Sequence, residues 1–104
     1  MPKGDHQELL GGLIRLHVLH HAVESEVYGH WMIEELARHG YRVSPGTLYP
    51  MLHSLERKGY IKSKAKGPGR RARKVYRATK KGRDALRLAK SRVRELFGEL
   101  IEGR

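Results

Sequence analysis

The apolar positions of this chain change their spacing along its length. From Gln7 to about Ala22, leucine, isoleucine and valine cover more than one helical stripe, which predicts a helix that is covered on two sides. A second helix is predicted from about Tyr28 to His39, because its apolar residues recur three and four positions apart. Gly40 follows in the position that a left-handed C-terminal cap prefers.

The third predicted helix begins at a defined point and runs to about Lys58. Ser44 is its expected N-cap and Pro45 its first helical residue. A proline in a helix interior costs about 3 kcal/mol, but Pro50 lies near the first turn, where a smaller cost or a slight bend is expected. The buried side should carry Leu48, Met51, Leu52 and Leu55, and the opposite side Gly46, Thr47, Pro50, His53, Ser54 and Arg57.

Two short strands and a long helix are predicted to follow. The strands are Tyr60–Lys64 and Arg73–Arg77, joined by a turn at residues 67–69, and the helix runs from a Thr79 cap to about Glu102. Apolar residues of this last helix alternate spacings of three and four, which favours a seam with a second chain over packing onto its own domain. The predicted dimer interface consists of Leu9, Leu10, Leu13, Leu86, Ala89, Val93, Leu96, Phe97 and Leu100.

The order of these elements is that of a winged helix-turn-helix. The predicted fold class is mainly α with a small β-hairpin. Residues 1–78 are assigned to the winged helix-turn-helix domain, with the wing at about residues 60–78, and residues 79–104 to a C-terminal dimerisation helix. A chain of 104 residues has the length of one domain. A domain of this size buries only part of the surface that its unfolded chain exposes, so burial in an oligomer would add stability.

The charge of the chain points to a polyanionic partner. The formal net charge is +11, and 16 of the 22 Lys and Arg residues lie between Lys58 and Arg94, where Asp84 is the only acidic residue. Phosphates or anionic headgroups would relieve the charge repulsion within such a stretch. The alternative is a solvated basic face that binds no partner. Double-stranded DNA is therefore the predicted partner.

Several other classes of protein are disfavoured. The absence of cysteine removes disulfides, thiolate zinc sites and cysteine nucleophiles. No run of about 18 apolar residues is present and the N-terminus lacks the apolar core of a signal peptide, so no membrane partner and a cytoplasmic location are expected. Paired carboxylates, phosphate-binding glycine loops and an activated serine are missing, so no catalytic residue, enzyme activity or cofactor is predicted.

The histidines of the first helix are a weak metal signal. His17 and His21 lie four residues apart on one helical face, with His20 beside them. No third ligand is evident near them in the sequence, so interface or surface positions are favoured and no metal ligand is predicted. For Trp31, packing is favoured over a ligand platform.

The segment Ser44–Ile61 reads SPGTLYPMLHSLERKGYI, which resembles the central helix of the PadR family of bacterial transcriptional regulators. Supporting matches are Gly29 with Leu36 seven residues on, and the step from Val75–Thr79 to Gly82. The resemblance spans essentially the whole chain. It implies a homodimer of winged-helix subunits, in which each C-terminal helix packs against the partner's N-terminal helix, and a regulator that mostly represses genes and is often relieved by small phenolic or drug-like molecules.

Two features depart from the family pattern. The family usually has Gly-Tyr-Glu in the second helix, whereas this chain has Gly29, His30 and Trp31, so no role of that tyrosine is carried over. Drug-binding members line the dimer cleft with aromatic residues from the last helix, and here only Phe97 is available. A small-molecule inducer is therefore left open, without a predicted site.

Together with the resemblance, which implies a repressor, these observations predict a sequence-specific DNA-binding regulator that binds an inverted-repeat operator as a homodimer. The third helix should enter the major groove and the loop at residues 64–74 should follow the backbone or the minor groove. Tyr49 as a core residue and Thr47 as a capping residue stay open alternatives. The predicted DNA-binding residues are Ser44, Gly46, Thr47, Tyr49, Pro50, His53, Lys64, Lys66, Arg70, Arg71, Arg73 and Lys74.

Base discrimination by the third helix should be modest. The side chains expected to reach the bases include no Arg, Asn or Gln, the types that make bidentate base contacts, so site selection should come partly from dimer spacing and DNA shape. A non-specific architectural or nucleoid-type DNA-binding protein, or a basic RNA binder on the same fold, is the alternative function.

Overall fold

A computed structural model describes residues 6–104 of the chain and has four helices and three strands in that range. The expectation about a signal segment rests on residues 1–6, of which residues 1–5 lie outside the described range. None of the described helices combines the length and hydropathy needed to cross a bilayer. The elements are α1 (Gln7–Glu24), β1 (Val27–Tyr28), α2 (Gly29–Arg38), α3 (Pro45–Arg57), β2 (Ile61–Lys66), β3 (Arg73–Ala78) and α4 (Lys80–Leu100), with a 3₁₀ turn at Gly69–Arg71.

The predicted fold class is confirmed, and the sheet has one strand more than the sequence indicated. β2 and β3 form the predicted hairpin, the wing, with Ile61 opposite Ala78. The additional strand β1 consists only of Val27 and Tyr28 and pairs antiparallel with β3, which gives the strand order β1-β3-β2. A strand of two residues is too short to show an alternating pattern, which explains why it was missed.

The helix boundaries around α3 are set by local chemistry. α2 ends where Gly40 adopts a φ of 90° and the Tyr41 N–H donates back to the Leu36 carbonyl at 2.9 Å. α3 begins after Ser44, whose Oγ accepts a hydrogen bond from the Thr47 N–H at 3.3 Å. Both predicted boundaries are confirmed, and together they fix where the first turn of α3 emerges.

A single apolar core joins the helices to the sheet. Leu48 and Leu52 of α3 are fully buried in it together with Met32 and Leu36 of α2. Burying one side chain of this size contributes about 1.5–3 kcal/mol relative to leaving it exposed. Because this buried stripe holds α3 against α2, the opposite side of α3 faces away from the core.

The apolar seam of α4 is divided between the core and the surface. Leu86 is only 7% exposed, because the first turns of α4 lie against α1 and bury this side chain in the core of its own chain. Its prediction as a dimer contact is therefore corrected. Leu10 and Ala89 are half-buried. The large apolar residues that remain exposed on these two helices and just after α4 are Leu9, Leu13, Leu88, Val93, Leu96, Phe97, Leu100 and Ile101.

The start of α4 is tied to the start of the wing. As predicted, Thr79 is the N-cap: its Oγ1 accepts from the Gly82 N–H at 3.1 Å and also donates to the Gly59 carbonyl at 2.6 Å. The Thr79 N–H donates to the Tyr60 carbonyl at 3.0 Å. Gly82 is packed so closely against the Tyr60 carbonyl that a Cβ there would overlap the oxygen atom. This junction therefore requires glycine.

Candidate nucleic-acid interface

The outward side of α3 starts at its N-terminal cap. Gly46, Pro50 and His53 are exposed, and Thr47 is half-buried. The Ser44 Oγ lies 3.4 Å from the Thr47 Oγ1, so the two hydroxyls form a pair at the first turn, next to backbone N–H groups that carry the positive end of the helix dipole. A helix start of this kind attracts phosphate. The residues of α3 and its cap that are predicted to contact DNA therefore lie together on this surface, with one exception.

Tyr49 is the exception. Its ring is half-buried and packs against the apolar core. The hydroxyl of Tyr49 lies so close to Gly29 that a Cβ on Gly29 would be 2.6 Å away. This contact favours the packing alternative for Tyr49, in which the ring joins α3 to the start of α2.

One face of the wing holds cations that already have partners. Lys64 and Lys66 both pair with the Glu26 carboxylate, at 2.9 and 3.0 Å. Arg73 lies on the same face with its guanidinium 4.8 Å from the centre of the Tyr28 ring. Hydrogen bonds from the two lysines, with the larger effect from Lys64, lower the pKa of Glu26 to about 2. These cations are therefore partly compensated within the chain.

The stabilisation from the Glu26 pairs depends on pH. The folded-state pKa is depressed from 4.5 to about 2, so the contribution to stability is complete above the ordinary pKa of glutamate. It is lost as the pH falls from about 4.5 towards 2, because the carboxyl then binds a proton more readily in the unfolded chain.

Glu26 is the residue that the sequence analysis missed. Asp84 is the only acidic residue between Lys58 and Arg94, but the fold brings the Glu26 carboxylate from the connection between α1 and β1 to a lysine 40 positions further along the chain. The only local signal is an acidic residue directly before the β-forming pair Val27 and Tyr28. The sequence gives no indication that this pair joins the wing.

Three of the wing cations that are predicted to contact DNA have no partner inside the described part of the chain. Arg70 and Arg71 are exposed in the 3₁₀ turn at the tip of the wing. Lys74 is exposed on the sheet face opposite to Arg73. Among residues 6–104, none of these three side chains takes part in an ion pair or a hydrogen bond with another residue. A phosphate would reach them without breaking an existing pair.

Replacing Glu26 with glutamine is expected to raise the affinity for duplex DNA, because it releases Lys64 and Lys66 for phosphate contact. Each lysine that gains a phosphate should steepen the slope of log affinity against log salt by about 0.9. Fluorescence anisotropy titrations at several salt concentrations measure both quantities. Glu24→Gln makes the same chemical change at an exposed pair with His20 and is the matched control. An unchanged slope in the Glu26 variant would place these lysines away from DNA.

The sequence is similar to known proteins over nearly its whole length. Residues 18–88 match the family described as the transcriptional regulator PadR-like family. The chain is 50% identical over 97 residues to the transcriptional regulator Rv3488 of Mycobacterium tuberculosis, an alignment that covers 93% of this chain and 91% of that protein.

Solved structures agree with this match. A PadR family transcriptional regulator from Eggerthella lenta is 33% identical and has a TM-score of 0.78, with 93% of this chain and 88% of that chain covered. A PadR-like transcriptional regulator from Bacillus cereus is 27% identical and has a TM-score of 0.75, with 93% and 99% covered. Both structural alignments therefore cover more of the chain than the residues 18–88 that match the family.

Proposed function

Since the chain belongs to the PadR-like family of transcriptional regulators, we propose that it is a sequence-specific repressor that binds an inverted-repeat operator in double-stranded DNA as a homodimer. In each subunit α3 enters the major groove and the wing tip contacts the phosphate backbone. The observation that carries this proposal is the exposed first turn of α3 combined with a wing tip whose cations have no partner in the described chain.

The wing is held at a fixed position relative to α3, as such a reader requires. The Glu56 carboxylate of α3 accepts hydrogen bonds from the Ser63 N–H at 3.1 Å and from the Ser63 Oγ at 2.7 Å. Hydrogen bonds to a charged acceptor are stronger than neutral ones, each contributing about 1.5–3 kcal/mol. α3 and the wing would therefore contact DNA together, and little conformational entropy would be lost on binding.

The apolar surface left on the terminal helices supports the homodimer. Leu9 is 82% exposed on α1, while Phe97 and Leu100 of α4 are 50% and 69% exposed. A monomer rarely leaves so many large apolar side chains in water, and their heptad spacing on α4 is that of a helix seam. In the proposed dimer α4 of one subunit covers α1 of its partner, which sets the distance between the two copies of α3.

A non-specific architectural protein is the second candidate. It is favoured by the net charge of +11 and by the outward side of α3, which from Ser44 to His53 contains no Arg, Asn or Gln. Contacts to phosphates alone give affinity without sequence preference.

Footprinting on the DNA upstream of the chain's own gene separates the two candidates. The repressor is expected to protect two symmetric half-sites at low concentration and to silence a reporter driven by that promoter. Uniform protection at all concentrations would instead favour the architectural protein. Leu96→Lys places a charge in the exposed seam of α4 and is the control: it should sediment as a monomer and lose the paired footprint.

A further inference from the structure

Three histidines meet where α1 packs against the end of α2. His17 and His21 lie one turn apart on α1, and His39 directly follows α2. One ring nitrogen of each histidine lies within 4.8 Å of those of the other two. The ring centres of His17 and His39 are 5.0 Å apart. The fold thus supplies the third histidine that the sequence pattern on α1 lacks.

A carboxylate lies against this histidine cluster. The Glu35 Oε2 is 3.1 Å from the His39 Nε2 and 3.4 Å from the His21 Nε2. Its second oxygen accepts a hydrogen bond from Arg38 at 2.7 Å, and this bond is the main cause that lowers the pKa of Glu35. Glu35 therefore carries its negative charge at neutral pH, so it is a competent metal ligand or an acceptor for a ligating imidazole.

The cluster leaves one buried nitrogen unsatisfied. The His21 Nε2 is shielded from water and makes no hydrogen bond with any described residue, although it lies within ion-pair distance of Glu35. A buried polar atom without a hydrogen bond costs about 1–3 kcal/mol. Burial is also the main cause that lowers the pKa of both His17 and His21.

We propose that His17, His21 and His39 bind a divalent transition-metal ion, for which Zn²⁺ is the best match, and that Glu35 completes the coordination. Imidazole ligands suit zinc and its neighbours in the first transition row, whereas magnesium and calcium prefer oxygen. Zinc lies about 2.0–2.1 Å from histidine nitrogen, so tetrahedral ligand atoms are about 3.3 Å apart. The three nitrogens lie within 4.8 Å of one another, so a bound ion would draw each pair closer by at most about 1.5 Å.

A second set of three potential ligands overlaps the first. His20, His21 and Glu24 also bring one ligand atom each within 4.8 Å of the others. All three come from the single helix α1, and His20 and Glu24 are exposed on its surface. The first set joins two helices and has a neighbouring carboxylate, so it gives an ion more ligands. A metal there would fix α1 against α2, the helix that leads into α3.

Titration of the metal-free full-length chain with Zn²⁺, in competition with a chromophoric chelator, tests the site. We expect one ion per chain and a rise in Tm with Zn²⁺ concentration. Trp31 is the only tryptophan of the chain, and its ring lies 5.2 Å from the His21 ring, so its fluorescence should change at the same stoichiometry. Absence of stoichiometric binding to the wild-type chain would overturn the proposal.

Single substitutions assign the ligands. His39→Ala and His17→Gln are each expected to lower the Zn²⁺ affinity by about 100-fold or more, since even outer-shell substitutions cost 10–100-fold. His30→Ala is the matched control, because His30 is an exposed histidine of α2 paired with Glu34. His20→Gln should also bind as the wild type does. If His20→Gln loses Zn²⁺ while His39→Ala retains it, the proposed ligand set is wrong.

These measurements are independent of the proposed function, because they contain no DNA. Circular dichroism of each variant shows whether it is folded, and His39 lies at an exposed helix end where truncation to alanine removes no core packing. A folded His39→Ala chain with wild-type affinity for Zn²⁺ would contradict the site even if DNA binding is found as proposed.

Discussion

Replacing Arg70 and Arg71 together with alanine is expected to lower the affinity for every duplex sequence on the order of 1000-fold at 0.1 M salt. In the proposed dimer this change removes four arginines. Each phosphate contact contributes about 0.9 to the slope of log affinity against log salt, so the slope should flatten by about 3.6. Operator and scrambled duplexes should be affected alike, because phosphate contacts carry no sequence information. Fluorescence anisotropy over a range of salt concentrations measures both effects.

A matched pair on α4 controls for the loss of net charge. Arg87 and Arg94 are exposed and lie seven residues apart, away from the apolar seam, and Arg87 pairs with Asp84 at 2.8 Å. Their joint replacement with alanine removes the same charge as the change at Arg70 and Arg71 but should leave the salt slope nearly unchanged. Equal flattening in both double variants would attribute the effect to overall charge and remove the wing tip from the DNA contact surface.

Gly82→Ala is expected to destabilise the folded chain on the order of 3 kcal/mol, the upper part of the range for overpacking a close-packed site. The added methyl group would overlap the Tyr60 carbonyl oxygen and lie 3.2 Å from the Leu19 Cδ1. A flexible side chain could move aside, but the Tyr60 carbonyl belongs to the backbone and already accepts the Thr79 N–H. Relief therefore requires the first turn of α4 to separate from the wing. Urea unfolding measures the change.

Gly12→Ala is the control for this prediction. Gly12 also lies inside a helix, but a Cβ there would meet nothing within 4 Å. Alanine at such a position is expected to stabilise the helix by about 0.5–1 kcal/mol. If Gly82→Ala proves as stable as Gly12→Ala, the close contact between α4 and the wing is not a feature of the folded chain.

The parts of the fold that the sequence predicted depend on neighbouring residues. Ser44 and Thr79 were identifiable as N-caps because a hydroxyl directly before a helical pattern satisfies nearby N–H groups. Gly40 was identifiable as a helix end because few other residues adopt a positive φ at low cost. These three positions define the end of α2 and the starts of α3 and α4, and the two starts place the candidate DNA-binding surface and the seam.

The parts that the sequence did not predict depend on distant residues. Glu26 reaches Lys66 only because β1 joins the wing, and His39 reaches His17 only because α2 folds back on α1. Leu86 has the spacing of a seam residue but is buried by its own chain. Periodicity shows which side of a helix is apolar, whereas tertiary packing decides what covers that side. Sequence patterns therefore predict these long-range contacts least well.

The position of α3 on DNA is tested most directly by cleavage from a tethered reagent. The chain contains no cysteine, so His53→Cys offers a unique attachment point for an iron chelate that cuts nearby DNA, and Arg94→Cys offers a control on α4. We predict that the reagent at position 53 cuts within the major groove of each operator half-site and that the reagent at position 94 does not cut. Cleavage from position 94 without cleavage from position 53 would contradict the placement of α3 in the groove.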